Sequence, residues 1–488
     1  MKQQLQSPVF IGADVLEIMS VAMYAEPLVI FRELLQNAAD SIDTTISSGR
    51  LAPLDGTVSI TLDPSTRTVS VLDNGAGLPN DLFDARMLSF GGSTKRDSIY
   101  RGFRGIGRLA GLGQCKTLVF RSRAEGDRFV KEARWSAMRV REMLSSGKQV
   151  TLEELALDAV DLQEVRASDE AAHFFEARLE GVRRLADDRL FDAHLIGSYL
   201  GQVAPVPFSP DFSMGSEIRN ELLRRGPLLE LNVSISGKVV LKPYKDKIEV
   251  RAGRTARIRN IEFLELPALH DGTAAYGWIG HHDYLGALRR DTPGRGLRVR
   301  SGNLQIGDEA LLASAFPEER FNSWTVGEFH VFDAHLRPNA RRDAFEPSIH
   351  VDNLYNQLRP HAASIARRCR QESRDRKQTR EIEALAKALD VLESALGRES
   401  SPFAVALRKL IATSVQESVE QLKTRVPGRD EQGRLLAIQR RANRLASRFT
   451  DAAPSARDRG RLDVLKWLHG NASADVFSAA VRALRRDK

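Results

Sequence analysis

Two cysteines, Cys115 and Cys369, are all that the 488 residues contain. No Cys-x-x-Cys pair exists, so a zinc ribbon or a disulfide framework has no raw material. Two thiols far apart in sequence suit a reducing compartment. A long apolar run is also missing. The most apolar early stretch, Val9 to Phe31, is interrupted by Asp14, Glu17 and Glu26. It fails as a spanning helix and lacks the layout of a signal peptide. The expectation is a cytoplasmic chain with no membrane partner. No Gly-Lys-Ser/Thr closes a Walker loop, and no long internal repeat is present.

What is there is ordinary in bulk: 42% apolar and 28% charged residues, the composition of globular protein, in a length that suits two to four domains. The net charge of +8 is unevenly placed. Residues 361–488 hold 27 Lys and Arg against 16 Asp and Glu, a net +11, which leaves −3 for residues 1–360. A basic C-terminal quarter can bind nucleic acid, acidic clients or anionic surfaces; a solvated, Arg-rich helical face is the commoner use of such charge.

Periodicity predicts helix over residues 8–48, with Val15, Ile18, Met19 and Ala22, then Phe31, Leu34, Leu35, Ala38 and Ile42, at helical spacing and Gly49 as the stop. Val58–Leu62 and Thr68–Leu72 flank an Asp-Pro-Ser-Thr turn and read as a hairpin. Lys116–Ser122 and His173–Leu179 read as strands, and residues 151–180 are acidic and mixed. Pro205, Pro207 and Pro210 mark a domain boundary. Strands at 229–235, 239–241, 277–280, 297–299 and 328–332 predict an α/β domain over 211–365. From 366 the pattern is helical. Ile382, Leu385, Leu389, Leu392 and Leu396 form one a/d seam, and Leu435, Ile438, Ala442, Leu445 and Phe449 form another. Each is short enough to serve an intramolecular bundle or a dimer. Adjacent His281 and His282 do not converge easily on one metal and are expected in a solvent-exposed loop.

Three segments carry chemistry. In Phe31–Asp40, Glu33, Asn37 and Asp40 are spaced four and three and share one helix face. Carboxylate, amide and carboxylate in a row can hold a magnesium ion and a water beside a triphosphate, because magnesium takes hard oxygens, few of them from protein. Next, Asp73 ends a strand and is followed by Gly75 and Gly77. Its carboxylate can accept from an exocyclic amine, and glycine admits a flat ring. Third, Gly102, Gly105 and Gly107 precede an apolar run and can present backbone N–H groups to phosphate. Each pattern alone is common, as a solvated helix face, an Asp-Asn-Gly turn and a loop.

Their order and separation resemble the N, G1 and G2 boxes of the gyrase, heat-shock chaperone, histidine kinase and MutL ATPase superfamily. Ser89–Lys95 resembles its lid segment. Residues 15–43, 113–136 and 199–207 look most like the heat shock protein 90 branch, so the resemblance is specific over about residues 1–210. More weakly, Gly296–Leu304 and Leu336–Asp343 look like that branch's middle domain. There Arg342, with Arg341 second, matches the arginine that meets the γ-phosphate, although Ser is missing and Asp343 stands for Glu.

The resemblance implies an α+β architecture: a Bergerat-type ATPase sandwich of helices over a mixed sheet at 1–210, an α/β middle domain at 211–365, and a helical C-terminal domain at 366–488. It implies ATP and magnesium as ligands. Asp73 and Gly77 would hold adenine, and Asn37, beside Asp40, would hold the magnesium. Gly102, Gly105, Ile106 and Gly107 would hold phosphates, Thr94 and Lys95 would act from the lid, and Glu33 and Arg342 would be catalytic. It also implies a chaperone-like clamp on protein clients, dimeric through the C-terminal helices. The basic tail keeps open a nucleic-acid clamp of the MORC or MutL type, and a component of a phage-defence system is a third class. No His-Glu dipeptide opens a phosphoacceptor helix, and no region resembles a topoisomerase cleavage domain.

Overall fold

The computed structural model describes residues 26–89, 107–146, 150–166, 173–184, 187–251, 254–396, 401–425, 428–447 and 455–471, with 479, 480 and 483. It divides into two compact units, residues 1–367 and 368–488. The predicted helix over 8–25 lies outside the described residues.

In the first unit, α1 (Val29–Ser47) buries Phe31, Leu34, Leu35, Ala38 and Ile42. It ends where Gly49 takes φ +74° and its N–H donates to Ile46 O, a left-handed stop that glycine reaches without a steric penalty. α1 lies on a sheet built from β1 (Thr57–Asp63), β2 (Thr68–Asp73), β3 (Thr117–Arg123), β4 (Phe129–Ser136), β5 (Val160–Arg166), β6 (Phe174–Glu180), β7 (Asn232–Ile235) and β8 (Lys238–Val239), in the order β5-β4-β3-β6-β2-β1-β7-β8. The β1–β2 turn is drawn in by Asp63 Oδ1, which accepts from the N–H groups of Ser65 and Thr66. All neighbours run antiparallel except β1 and β7, which pair in parallel from Thr57↔Asn232 to Ile60↔Ile235. β7 lies in the stretch that the sequence reading gives to the middle domain; here it belongs to the N-terminal sheet.

Helices α2 (Asn80–Leu88), α3 (Ala137–Ser145), α4 (Leu152–Ala159), α5 (Ala193–Val203) and α6 (Gly215–Arg225) accompany this sheet and its exit. The acidic stretch at 151 is thus a helix, started by a capping box in which Thr151 and Glu154 bond each other's backbone N–H. Beyond the short hairpin of β9 (Lys247–Arg251) and β10 (Arg254–Arg257) comes a second sheet. It comprises β11 (Asn260–Pro267), β12 (Thr273–His281), β13 (Gly296–Ser301), β14 (Leu304–Ile306) and β15 (Val326–Val331), in the order β11-β12-β15-β13-β14. The expected exposure of His281 and His282 is corrected here, since both are buried. His281 bonds Tyr284 Oη at 2.7 Å and Glu262 Oε2 at 2.6 Å, and His282 Nε2 donates to Trp324 O at 2.8 Å. Partners placed by the sheet offset the cost of burying them.

α7 (Ile349–Leu396) runs from the first unit into the second, which continues with α8 (Pro402–Lys423), α9 (Arg429–Ala446) and α10 (Ala456–Asn471). Pro402 opens α8 behind a Ser401 cap that accepts from Ala404 N–H. Ile382, Leu385, Leu389 and Leu392 share one core with Leu435, Ile438, Ala442 and Leu445, so the two seams are spent inside one bundle. Leu396 and Phe449 fall outside the described side chains. No described helix is long and apolar enough to cross a membrane.

Candidate active site

α1 positions the site. Its polar face carries Glu33, Asn37 and Asp40, with Glu33 7% and Asp40 1% exposed and Asn37 half-buried. The opposite face is locked into the core, so these side chains have little freedom. Glu33 and Ser41 are about 12 Å apart along the axis, at a rise of ~1.5 Å per residue. Each end of that span meets a different part of the chain.

At the C-terminal end stands the turn after β2. Asp73 is buried, and Gly75 N–H donates to its Oδ1 at 2.9 Å. Burial pushes its carboxyl up to about 7, against the pull of that single N–H. A Cβ on Gly75 would stand 2.1 Å from Ser41 Oγ, so glycine is what lets this turn close onto α1. Gly77, at φ +67°, has Arg123 O 2.1 Å from the position of a Cβ; the neighbouring strand by itself demands glycine there. His173 Nδ1 donates to Gly75 O at 2.8 Å, and Ser122 Oγ accepts from Leu78 N–H at 2.7 Å. Sequence reasoning singled out neither residue for the site, and no local signal marks them, because both reach the turn from distant strands.

At the N-terminal end, Arg32 Nη2 donates to Arg341 O at 2.7 Å across 309 residues and lies 3.6 Å from Glu33 Oε1. Arg341 belongs to a small hairpin. Pro338 bridges Phe345, Asn339 Nδ2 donates to Asp343 Oδ1 at 2.6 Å, and Gly307 N–H donates to Arg342 O at 2.8 Å. Arg341 is exposed, whereas Arg342 is 7% exposed and adopts φ +56°. Arg342 also acts electrostatically on Glu33. Burial raises the Glu33 carboxyl above its ordinary value, against the opposing pull of Arg32 and Arg342. Of the two candidate arginines, the inward one beside the carboxylate is Arg342. A buried carboxylate so placed can take a proton from water, and the two guanidiniums flanking it can stabilise negative charge beside it. Asn37 offers a single hard oxygen on the same face, the donor type magnesium accepts.

Buried arginines of β13 tie the second sheet to the C-terminal end of α5. Arg300 Nη2 donates to Gln202 O at 2.7 Å and Nη1 to Ala204 O at 3.2 Å; Arg298 Nη2 donates to Gln202 Oε1 at 2.8 Å. The counter-charge of Arg300 is Glu328, which also accepts from Lys242 at 2.7 Å and from Tyr244 Oη at 3.0 Å. The basic β13 segment is therefore interior, not a solvated strand.

Thr94, Lys95, Gly102, Gly105 and Ile106 lie outside the described residues, and Gly107 begins a 3-10 segment, Gly107–Gln114, that packs against α1.

Residues 27–168 match the family described as histidine kinase-, DNA gyrase B-, and HSP90-like ATPase. A chaperone protein HtpG from Hydrogenovibrio crunogenus is 26% identical over 142 residues, a match covering 25% of this chain and 22% of that protein. The chain thus spans about a fifth of the length of the curated relative it matches. The match falls on the N-terminal sheet-and-helix region, which is similar to the ATPase type that this family describes.

Proposed function

We propose that the chain binds ATP with magnesium and hydrolyses it, and that the cycle drives a clamp on protein clients. The observation that carries this reading is the meeting of Glu33 and Arg342 near the N-terminal end of α1, fastened by Arg32 to the Arg341 carbonyl. Adenine's amine donates to Asp73, so the base lies at one end of α1 and the γ-phosphate at the other. Asn37 would hold magnesium, which when bound would neutralise charge on the phosphates. Glu33 accepts a proton from water, whose oxygen forms the new bond to the γ-phosphorus. The bond to the β–γ bridging oxygen breaks and ADP leaves. Arg342 offsets the charge that grows on the transferring group. Asp40, Gly77, Thr94, Lys95, Gly102, Gly105, Ile106 and Gly107 complete the nucleotide contacts in this reading.

Pairing of two copies through the C-terminal helices would use faces other than the buried seams, such as the one bearing Val464 and Trp467, 54% and 63% exposed. A second reading, a clamp on nucleic acid, is favoured by the +11 carried by residues 361–488.

The deciding measurement is phosphate release from magnesium-ATP, with and without duplex DNA, beside Glu33→Ala. The expected result is turnover that falls at least ~100-fold in the variant, the low end for a general base, with ADP affinity kept. Full turnover in Glu33→Ala would remove Glu33 from the reaction. Stimulation by DNA that disappears steeply with salt would move the assignment to the nucleic-acid clamp.

A further inference from the structure

We propose that Asp333, His335 and His350 form a binding site for one divalent transition-metal ion of the zinc type, tying together the two ends of the segment that carries Arg341 and Arg342. Asp333 follows β15 and His350 lies in the first turn of α7, 17 positions later. Asp333 Oδ1 lies 2.9 Å from His335 Nδ1, and its Oδ2 lies 2.8 Å from His350 Nδ1. The two rings are stacked, with centres 4.3 Å apart and planes 14° from parallel. One ligand atom from each residue falls within 4.8 Å of the others.

The chemistry of the set selects the ion. Two imidazole nitrogens and a carboxylate suit zinc and its neighbours, whereas magnesium and calcium prefer oxygen throughout. Ligand bonds of about 2.0–2.2 Å place the ion between atoms that now share protons. Each Nδ1 lone pair becomes free when the neutral ring carries its proton on Nε2 instead. Three protein ligands leave a fourth position for water, as in open zinc sites.

Two ligands are fixed before the ion arrives. The side chains of Asp333 and His350 are 8% and 13% exposed, and the Asp333 N–H contacts Ala274 O, holding the residue to the sheet. His335 is 66% exposed and gives the ion its route in. The segment closed by the site includes the Pro338–Phe345 hairpin, so the ion would restrict the same loop that Arg32 grips. The inference rests on the 333–350 geometry alone, and its failure would leave the nucleotide reading untouched.

The test uses the tag-free full chain, stripped with a chelator and kept without nucleotide. It is titrated with Co²⁺ and then Zn²⁺, by absorption and calorimetry. One equivalent of Co²⁺ with the visible bands of a low-coordinate nitrogen–oxygen site is expected, displaced by Zn²⁺ and not by excess Mg²⁺. His335→Gln, which changes an exposed side chain, should weaken binding at least ~10-fold, and Asp333→Asn should do likewise. Zinc should slow amide exchange over residues 336–348 in the unmodified chain and not in His335→Gln. No stoichiometric uptake, or equal affinity in His335→Gln, overturns the site.

Discussion

Asp73 in the N-terminal sheet and Glu328 in the second sheet are 4% and 0% exposed, yet their surroundings treat the charge in opposite ways. Around Glu328, burial opposes ionisation, but Arg300, Lys242 and His330 outweigh it and hold the carboxyl well below its ordinary range. Asp73 has one backbone N–H against the same desolvation and rises to about 7. Glu33 shares with Asp73 a pKa raised by burial, although Arg32 and Arg342 pull against it. The protein itself answers the charge at Glu328, with cations from the second sheet and from Lys242. At Asp73 it leaves the charge with one backbone N–H, the kind of perturbed carboxyl that tuned sites commonly hold.

The largest effect that tests this contrast is on turnover. Arg342→Ala should cost about 10³-fold in phosphate release, the low end for an arginine acting on a transferring phosphoryl group, while Arg341→Ala, whose contribution is its backbone carbonyl, should stay within a few-fold of the unmodified chain. Equal losses in single-turnover assays would erase the distinction between the two arginines.

Next is stability at the satisfied carboxylate. Glu328→Ala strands Arg300 and Lys242 in the interior and should lower unfolding free energy by about 3–5 kcal/mol in urea titrations of the first-unit transition. A loss below about 1 kcal/mol would mean that the network contributes little.

The smallest effect is on pH. In the proposed nucleotide site Asp73 is the acceptor, and burial pushes its carboxyl up to about 7. Below that pH the proton competes with the base, so ADP affinity should rise about tenfold from pH 6 to pH 8 and then level off. Calorimetry, corrected for titration of the nucleotide itself, reads this directly; a flat profile would mean that Asp73 is already ionised in the empty site.

The parts of the molecule that could be read from sequence are those whose information is local. The stripe Glu33, Asn37, Asp40 follows from helical spacing within eight residues, and the β1–β2 hairpin from a turn between two alternating runs. The cap Thr151–Glu154 was local too, but an acidic stretch hid a helix of only eight residues. β5, with nearly every side chain exposed, has no apolar alternation to announce it. The burial of Arg298, Arg300, His281 and His282 depends on partners from other strands, such as Glu328 and Glu262, and pairing of that range leaves no trace in periodicity. The packing of Arg123 O against the Cα of Gly77 likewise comes from a strand distant in sequence and leaves no local mark.

The parallel pairing of β1 with β7 joins residues 57–60 to residues 232–235. During synthesis the N-terminal sheet therefore keeps an open edge at β1 until some 170 further residues have left the ribosome. A fragment cut at the Pro205–Pro210 cluster would keep that edge for good, with a row of unpaired backbone groups available to a second molecule. A soluble nucleotide-binding fragment should accordingly extend past Val239, so that β7 and β8 can close the sheet.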